Sequence, residues 1–141
     1  MKLELISPAT SKMFTALPYH EMEEAKAKLT IASNIQQQWK QTSLSHRIAI
    51  VENAMDYFKE NRDSIARDIT LQMGKPIKEA RNEVNGMIQR SEVVCRLAED
   101  ALMDISLPEL AGFQRFIQWE PLGVVLDIAA WNYPLLIAVN V

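Results

Sequence analysis

The segment from Val124 to Ala130 constrains the fold of this chain more than any other feature. Its residues are nearly all apolar, and they stand between the turn Pro121-Leu122-Gly123 and a second break at Pro134. A short apolar run between turn residues is typical of a strand buried on both faces of a parallel sheet. Each parallel neighbour requires a crossover of a dozen or more residues, and too few residues follow Ala130. We therefore expect the first strand of an incomplete sheet, with uncovered apolar surface, in a fragment of a longer protein.

Two amphipathic helices are predicted in the first half of the chain. From Glu21 to about Lys40, apolar residues recur every three or four positions, with charged residues and glutamines between them. The acidic residues of the first turn lie at the positive end of the helix dipole. A second helix follows Thr42-Ser43, either of which can cap it, and it continues to a turn at Asn61-Arg62-Asp63.

Two further helices are predicted after that turn. The third ends at Gly74, because glycine favours the left-handed conformation found at helix C-termini. Pro76 suits the first position of the fourth helix, where a backbone N–H would have no partner. The apolar stripe of this fourth helix contains Ile77, Ala80, Val84, Met87, Ile88, Val94, Cys95, Ala98 and Leu102. We therefore expect Cys95 to be a core residue.

Extended segments are predicted on both sides of the helices. The chain up to about Tyr19 contains Pro8, Pro18 and several hydroxyl residues, which favours short extended pieces and turns. Residues Phe113 to Trp119 alternate between apolar and polar side chains, as a half-exposed strand does. Residues Leu135 to Val141 are expected to form the start of a helix that is cut off. Together these elements predict an α/β fold in which a helical layer leads into a sheet.

Charge and composition exclude several classes of partner. The chain has 141 residues, a net charge of −3 and a pI near 5.4, with no basic patch for nucleic acid or anionic membranes. The single cysteine, Cys95, excludes an intramolecular disulfide and fits a reducing compartment. The N-terminus does not resemble a signal peptide, and Asp127 and Asn132 make the apolar C-terminal stretch a poor membrane span. We expect a cytoplasmic protein.

The common nucleotide and metal motifs are not visible in the sequence. The four glycines form neither a G-x-G-x-x-G sequence nor a P-loop. His20 and His46 lie far apart, and the cysteine and histidines do not have the spacing of metal ligands. We therefore expect both histidines to be structural or solvated, and we predict no metal site.

The most informative motifs lie at the entry and the exit of the predicted buried strand. Glu120-Pro121-Leu122-Gly123-Val124-Val125 leads into the strand, and Ala130-Trp131-Asn132-Tyr133-Pro134-Leu135 leads out of it. Both resemble the aldehyde dehydrogenase superfamily, which has P-L/I-G-V and P-W-N-F/Y-P-L at these places. Ser7-Pro8-Ala9-Thr10 resembles the N-P-A-T-G opening of that family. The segment from Leu71 to Val84 resembles its L-E-x-G-K-P…E-A…E-V block.

The resemblance extends over essentially the whole chain, in the same order and spacing. Trp39 and Arg47 stand where the family has a tryptophan–arginine pair. Ser11 replaces the usual glycine of the opening motif, and Ala130 replaces the usual proline before Trp-Asn. Neither change removes a reacting group, although we expect Ala130 to loosen the turn that leads to Asn132. The helical block is most similar to the succinate-semialdehyde-dehydrogenase-like branch.

Asn132 is the candidate catalytic residue. It follows the predicted strand by two positions, at the carboxyl end where ligands of parallel sheets bind. A carboxamide N–H there can donate to an oxygen that becomes negative during attack on a carbonyl. From the residues alone, Asn132 can equally be the cap of the following helix. The resemblance implies the first role, with the backbone N–H of a catalytic cysteine supplying the second donor of the oxyanion hole.

The resemblance also implies roles for the neighbours of Asn132, although each of them alone is an ordinary apolar core residue. Tyr133 and Ile137 match positions beside the aldehyde tunnel. Four positions match the family's cofactor cleft, which they line partly through backbone groups: Ile128, Ala129, Ala130 and Trp131. The implied cofactor is NAD or NADP, and the implied substrate is a small-molecule aldehyde.

A domain arrangement follows from the same resemblance. Residues 1–112 match the N-terminal helical part of the cofactor-binding domain, and residues 113–120 match a strand of the arm that pairs subunits. Residues 121–141 match the first strand and the helix start of the Rossmann-like parallel sheet, which is incomplete here. A homo-oligomer, either a dimer or a tetramer, is expected of the full-length enzyme.

Two functional interpretations remain open. In the first, the chain is part of an oxidoreductase that oxidises an aldehyde, such as succinate semialdehyde, to a carboxylate through a cysteine thiohemiacetal and NAD(P). The family's cysteine lies far downstream in a Gly-Gln-x-Cys-like context, so Cys95 is not this nucleophile. In the second interpretation, the chain is a truncated, catalytically inactive fragment or pseudogene-like product. Both predict that the 141 residues alone are inactive.

Overall fold

The chain folds into five helices and four short strands over residues 2–141, which the computed structural model describes. In chain order the elements are β1 (Lys2–Ile6), β2 (Met13–Pro18), α1 (Met22–Trp39), α2 (Leu44–Glu60), α3 (Arg62–Met73), α4 (Ile77–Ala101), β3 (Ile105–Ser106), β4 (Phe116–Ile117) and α5 (Pro134–Ala138). The predicted α/β class and the predicted order of the four long helices are confirmed.

The N-terminal segment is an antiparallel hairpin, in agreement with the extended pieces and turns predicted there. β1 pairs with β2, and the register shifts between Leu5 and Ile6. The Ser7 N–H donates to the Lys12 carbonyl at 2.9 Å and closes the turn. Ser11 has a φ of 54°, in the left-handed region that favours glycine. The serine that departs from the family's glycine therefore stands at a strained position.

Local capping signals set the starts of the first two helices. α1 begins with a capping box, in which the Glu24 carboxylate accepts the Glu21 N–H at 3.1 Å. α2 begins after Ser43, whose Oγ accepts the His46 N–H at 3.2 Å. α3 ends at Gly74, which has a left-handed φ of 78°. These three boundaries lie where the sequence predicts them.

The starts of the next two helices differ from the prediction by one or two residues. Asn61 serves both as the C-cap of α2 and as the N-cap of α3, so the predicted turn is limited to that residue. Pro76 is the N-cap of α4 rather than its first helical residue, because its ψ of 136° is extended. Asn61 alone therefore connects α2 to α3.

The hydrophobic core lies where α2, α3 and α4 meet, and α5 packs against it. The partly buried Leu135 and Val139 bring α5 into contact with this cluster. The buried members are Met55, Ala66, Ile69, Ala80, Val84, Met87 and Ile88. α1 is amphipathic as predicted, but none of its residues is buried. The core therefore forms mainly on the first part of α4.

The predicted apolar stripe of α4 is buried over only part of its length. Cys95 is half-buried rather than a core residue, so that prediction is wrong. Val94 and Leu102 are exposed as well. The reason is the difference in helix length: at 1.5 Å per residue, α3 spans about 18 Å and α4 spans about 38 Å. α3 is therefore too short to cover the C-terminal half of α4, and Ile77 at the other end of α4 is exposed as well.

The strand predicted at Val124–Ala130 does not form within residues 2–141. In this part of the chain the segment has no strand partner and no backbone hydrogen bond. Leu126 and Ile128 are 83% and 81% exposed. The cause is that a parallel strand exists only beside another strand, and the described residues provide none. The uncovered apolar surface expected from the sequence is confirmed.

The strand predicted at Phe113–Trp119 is shorter in the structure. β4 spans only Phe116–Ile117 and pairs antiparallel with β3 at Ile105–Ser106, a partner that the sequence analysis did not identify. The Arg115 Nε donates to the Pro108 carbonyl at 3.1 Å and ties the loop between the two strands. All four strand residues are exposed, so the alternating burial expected of a half-exposed strand is not seen in β3 and β4.

Candidate active site

Two buried charged side chains, Lys75 and Glu83, hold the turn that carries Asn132 against α4. The two side chains form an ion pair and are 8% and 0% exposed, respectively. The Lys75 Nζ also donates to the Asn132 carbonyl at 2.6 Å. The second carboxylate oxygen of Glu83, Oε1, accepts the Leu135 N–H at 3.0 Å. The ion pair therefore fixes the backbone on both sides of Tyr133-Pro134.

The Lys75 ammonium has as many partners as it has N–H groups. Besides Glu83 and the Asn132 carbonyl, it lies 3.7 Å from the centroid of the Tyr133 ring, a cation–π distance. A buried ammonium without such partners would be strongly destabilising. The three contacts explain how a nearly inaccessible lysine is tolerated at this place, and they all lead to the same turn.

The Asn132 side chain is available to a ligand, whereas its backbone is held. The residue is exposed, and its carboxamide makes no hydrogen bond within residues 2–141. The N-cap of α5 is Tyr133, and no side chain caps this helix. Asn132 therefore does not act as the helix cap, the alternative that the sequence left open. Its N–H donors remain free to meet an oxygen.

The short helix after Asn132 is docked by apolar contacts. Leu135 and Val139 pack on the core cluster. Leu136 approaches α4 at Gly86, where an added Cβ would lie 3.4 Å from Leu136 Cδ2. α5 is thus fixed along its side by these leucines and the valine, and at its start by Glu83. The direction of the Asn132 turn depends on both attachments.

The other predicted site residues lie in the same exposed stretch. Ile128 and Trp131 are 81% and 75% exposed, and Tyr133 is 44% exposed. Ala130 is exposed, Ala129 is half-buried, and Ile137 is 36% exposed. Apart from the half-buried Ala129, these predicted cofactor and substrate residues are exposed on either side of Asn132 in the sequence. The Tyr133 ring faces the Lys75 ammonium, and the Ile137 N–H donates to the Tyr133 carbonyl at 3.1 Å.

No role for Lys75 or Glu83 was predicted, although both lie in the segment from Leu71 to Val84 that resembles the family's helical block. A signal was present in the pattern of α4. Glu83 lies between Ala80 and Met87 on the face that is buried in the structure. A carboxylate on an apolar helix face requires a buried partner, because an isolated buried charge is very costly. Lys75 lies eight residues before Glu83. The Leu135 N–H, however, could not be inferred as a partner, because it lies 52 residues away.

Cys95 lies far from this turn. It stands on α4 about 18 Å beyond Glu83, at 1.5 Å per helical residue. It lines a small groove of about 150 Å³ together with Met55 and Lys59 of α2. Cys95 therefore cannot attack a substrate held at Asn132, in agreement with the prediction that it is not the nucleophile.

A larger cleft, of about 720 Å³, lies elsewhere in the structure. Arg47 and Trp119 are among its lining residues, and the Arg47 Nε has no hydrogen-bond partner within the described chain. None of the predicted site residues lines this cleft. The candidate site is therefore the exposed turn on α4 and not the larger cavity.

We also searched the described residues for a histidine site, a metal site and a membrane-spanning helix. The exposed His20 has its Nδ1 3.1 Å from Glu24 Oε2, so it belongs to the start of α1. Within residues 2–141, no group of three or more His, Cys, Asp or Glu side chains is arranged to hold a metal ion. None of the helices in the same range is long and apolar enough to cross a membrane.

Comparison with known proteins identifies the family. The sequence profile of the aldehyde dehydrogenase family matches residues 1–141, and the chain belongs to this family. A probable NADP(+)-dependent succinate-semialdehyde dehydrogenase of Synechocystis is 32% identical over 137 residues, which are 95% of this chain and 29% of the relative. A malonate-semialdehyde dehydrogenase of Bacillus cytotoxicus is 30% identical over 132 residues, or 93% of this chain and 27% of the relative.

The fold agrees with this assignment. A point variant of betaine aldehyde dehydrogenase from Staphylococcus aureus, solved with NAD+, superposes with a TM-score of 0.90 at 25% identity. The match covers 99% of this chain and 28% of that structure. The chain thus spans less than a third of the length of the relatives that it matches.

Proposed function

We propose that this chain is the N-terminal part of an enzyme that oxidises an aldehyde to a carboxylate with NAD or NADP, and that Asn132 is an oxyanion donor in that reaction. One observation carries the proposal: the Asn132 carboxamide is exposed and unbonded within the described chain, while its backbone is fixed by a buried ion pair. An asparagine with only a structural role would use its side chain for capping or packing.

The chemistry requires a donor with this combination of properties. Attack on an aldehyde carbonyl turns its oxygen negative, and a donor that already points at that oxygen stabilises the charge without reorganising. The nucleophile is proposed to be a cysteine thiolate in another part of the protein, which forms a thiohemiacetal. Cys95 does not serve, since it stands about 18 Å from Glu83 along α4.

The residues before Asn132 suit one side of a nucleotide site. Ile128 and Trp131 present exposed apolar side chains, and the backbone groups of 124–131 make no backbone hydrogen bonds within residues 2–141. These exposed apolar side chains are proposed to pack against the planar ring of the cofactor. The nicotinamide cofactor, when bound, supplies the hydride acceptor. Tyr133 and Ile137 are proposed to contact the substrate.

The substrate class is proposed from the relatives. Two of them are named as dehydrogenases of succinate semialdehyde and malonate semialdehyde, which are short aldehydes that carry a carboxylate. A short carboxylated aldehyde, with succinate semialdehyde as the first candidate, is therefore the proposed substrate. Pairing of subunits is proposed to use the exposed β3–β4 hairpin, whose Phe116 and Ile117 are 55% and 47% exposed.

The second interpretation, a catalytically inactive product, has support from one observation. The apolar segment around Leu126 lies open to solvent within the described residues. The two interpretations differ in whether a polypeptide with this chain and a downstream Gly-Gln-x-Cys sequence is produced. Mass spectrometry of the native protein distinguishes them by its length.

The test of the proposed role is Asn132→Ala in the full-length enzyme. Loss of one oxyanion donor is expected to lower turnover on the order of 10²-fold. The matched control is Asn140→Ala, since the Asn140 side chain donates to the Leu136 carbonyl at the other end of α5. We expect the control to keep turnover close to that of the parent enzyme. Unchanged turnover in Asn132→Ala contradicts the proposal.

A further inference from the structure

Lys75 and Glu83 make an unusual set of contacts for a buried ion pair. Each charged group uses one interaction for its partner and another for the backbone of the Asn132 turn. The hydrogen bonds from Lys75 to Asn132 and from Leu135 to Glu83 join residues that are distant in the sequence. The Asn132 carbonyl and the Leu135 N–H both belong to the Asn132 turn, so these two bonds attach that turn, and not α3, to the buried pair.

The turn has few other constraints on its backbone. No backbone hydrogen bond within the described chain involves residues 124–131, and α5 has only five residues and no side-chain cap. The apolar contacts of Leu135 and Leu136 fix the side of α5 but leave the direction of the preceding peptide groups open. The Lys75 bond to the Asn132 carbonyl and the Glu83 bond to the Leu135 amide remove that freedom.

We propose that Lys75 and Glu83 are positioning residues for catalysis, which aim the Asn132 carboxamide by holding its backbone. This inference rests on the proposed role of Asn132. The Lys75 ammonium holds the Asn132 carbonyl by a hydrogen bond of 2.6 Å, and the side chain on the same Cα is exposed to solvent. A small displacement of a reacting group lowers the reaction rate strongly, so an ion pair that fixes the position of Asn132 would increase the rate.

The first test uses Glu83→Gln in the full-length enzyme, because glutamine keeps the shape of the side chain and removes the charge. We expect kcat to fall roughly tenfold or more, with a smaller change in the KM for the aldehyde. Lys75→Arg, which retains a cation, is expected to lose less than Lys75→Met. The control is Arg81→Met, because Arg81 pairs with Asp63 on the exposed side of α4 at 2.9 Å. We expect the control to leave kcat unchanged.

A double-variant cycle separates positioning from general stability. If Glu83 acts through Asn132, then Glu83→Gln costs much less in a protein that already carries Asn132→Ala. Equal fold-losses in both backgrounds overturn the positioning role and leave the proposed function intact. No effect of Asn132→Ala alone overturns the proposed function, and the positioning role with it.

A measurement on the unmodified protein covers the case in which the variants do not fold. Leu135 and Leu136 are adjacent in the first turn of α5, but only the Leu135 N–H has an acceptor within the described chain, on Glu83. We expect amide hydrogen exchange at Leu135 to be at least about tenfold slower than at Leu136. Equal exchange rates show that Glu83 does not hold the turn, and they overturn the inference.

Discussion

Gly74 and Pro8 touch across the junction between the N-terminal hairpin and the end of α3. A Cβ built on Gly74 would lie 3.1 Å from Pro8 Cγ, closer than ordinary van der Waals contact. Gly74 also has a φ of 78°, a backbone angle that residues with a Cβ rarely adopt. Two independent requirements, one conformational and one steric, therefore favour glycine at this position.

Gly74→Ala is expected to lower the free energy of unfolding by more than the strain of a left-handed alanine alone would. The backbone term is about 1–2 kcal/mol. The contact with Pro8 adds to it, because the ring must move to make room. Gly112→Ala is the control, since Gly112 has a φ of 82° and no atom within 4 Å of an added Cβ. Urea denaturation of both variants measures the difference, and equal losses would show that the Pro8 contact contributes nothing.

Ser11→Gly is expected to stabilise the chain. Ser11 has a φ of 54°, and its side chain is exposed and makes no hydrogen bond within residues 2–141. Relief of the left-handed strain exceeds the added flexibility of glycine in the unfolded chain, for a net gain of about 0.5–1 kcal/mol. Ser11→Ala, which keeps the strain, should give no gain. A Ser11→Gly variant that melts no higher than Ser11→Ala would disprove this explanation.

The purified 141-residue chain is expected to self-associate and to lack dehydrogenase activity. Leu126 and Ile128 are 83% and 81% exposed on one unpaired segment, which favours association between copies. Replacing both with aspartate should reduce light scattering without lowering the melting temperature, because neither residue belongs to the core cluster. Cysteine-dependent NADH production by this chain would contradict both the predicted inactivity and the assignment of Cys95.

The ion pair between Asp63 and Arg81 is expected to make stability depend on acid pH. The hydrogen bond from Arg81 lowers the pKa of the Asp63 carboxyl below its ordinary value of 3.8. A carboxyl with a lowered pKa stabilises the fold above its ordinary pKa, and the effect is lost as the pH falls through the lowered value.

The Asp63→Asn variant therefore should have a lower urea midpoint than the parent near neutral pH. The two midpoints should converge in strong acid. Because the pair is exposed, added salt should shrink the difference at neutral pH. A gap that stays constant across the whole pH range would rule out the ion pair as its cause.

The local features of this fold were readable from the sequence. Ser43 and Gly74 set helix ends through bonds and dihedral angles that involve only neighbouring residues. The family motifs around Asn132 placed the candidate residue in a turn before a helix, where the structure has it. These predictions depend on interactions within a few positions of each residue, and the order of amino acids is enough to specify such interactions.

Only the tertiary structure decided the rest. Glu83 stood on the apolar face of a predicted helix, but its bond to the Leu135 N–H depends on how α5 packs on α4. The Val124–Ala130 segment had the composition of a strand, yet a strand forms only when another one lies beside it. In both cases the partner is distant in sequence. The sequence therefore showed that Glu83 and the Val124–Ala130 segment each needed a partner. Only the three-dimensional packing determined whether that partner was present.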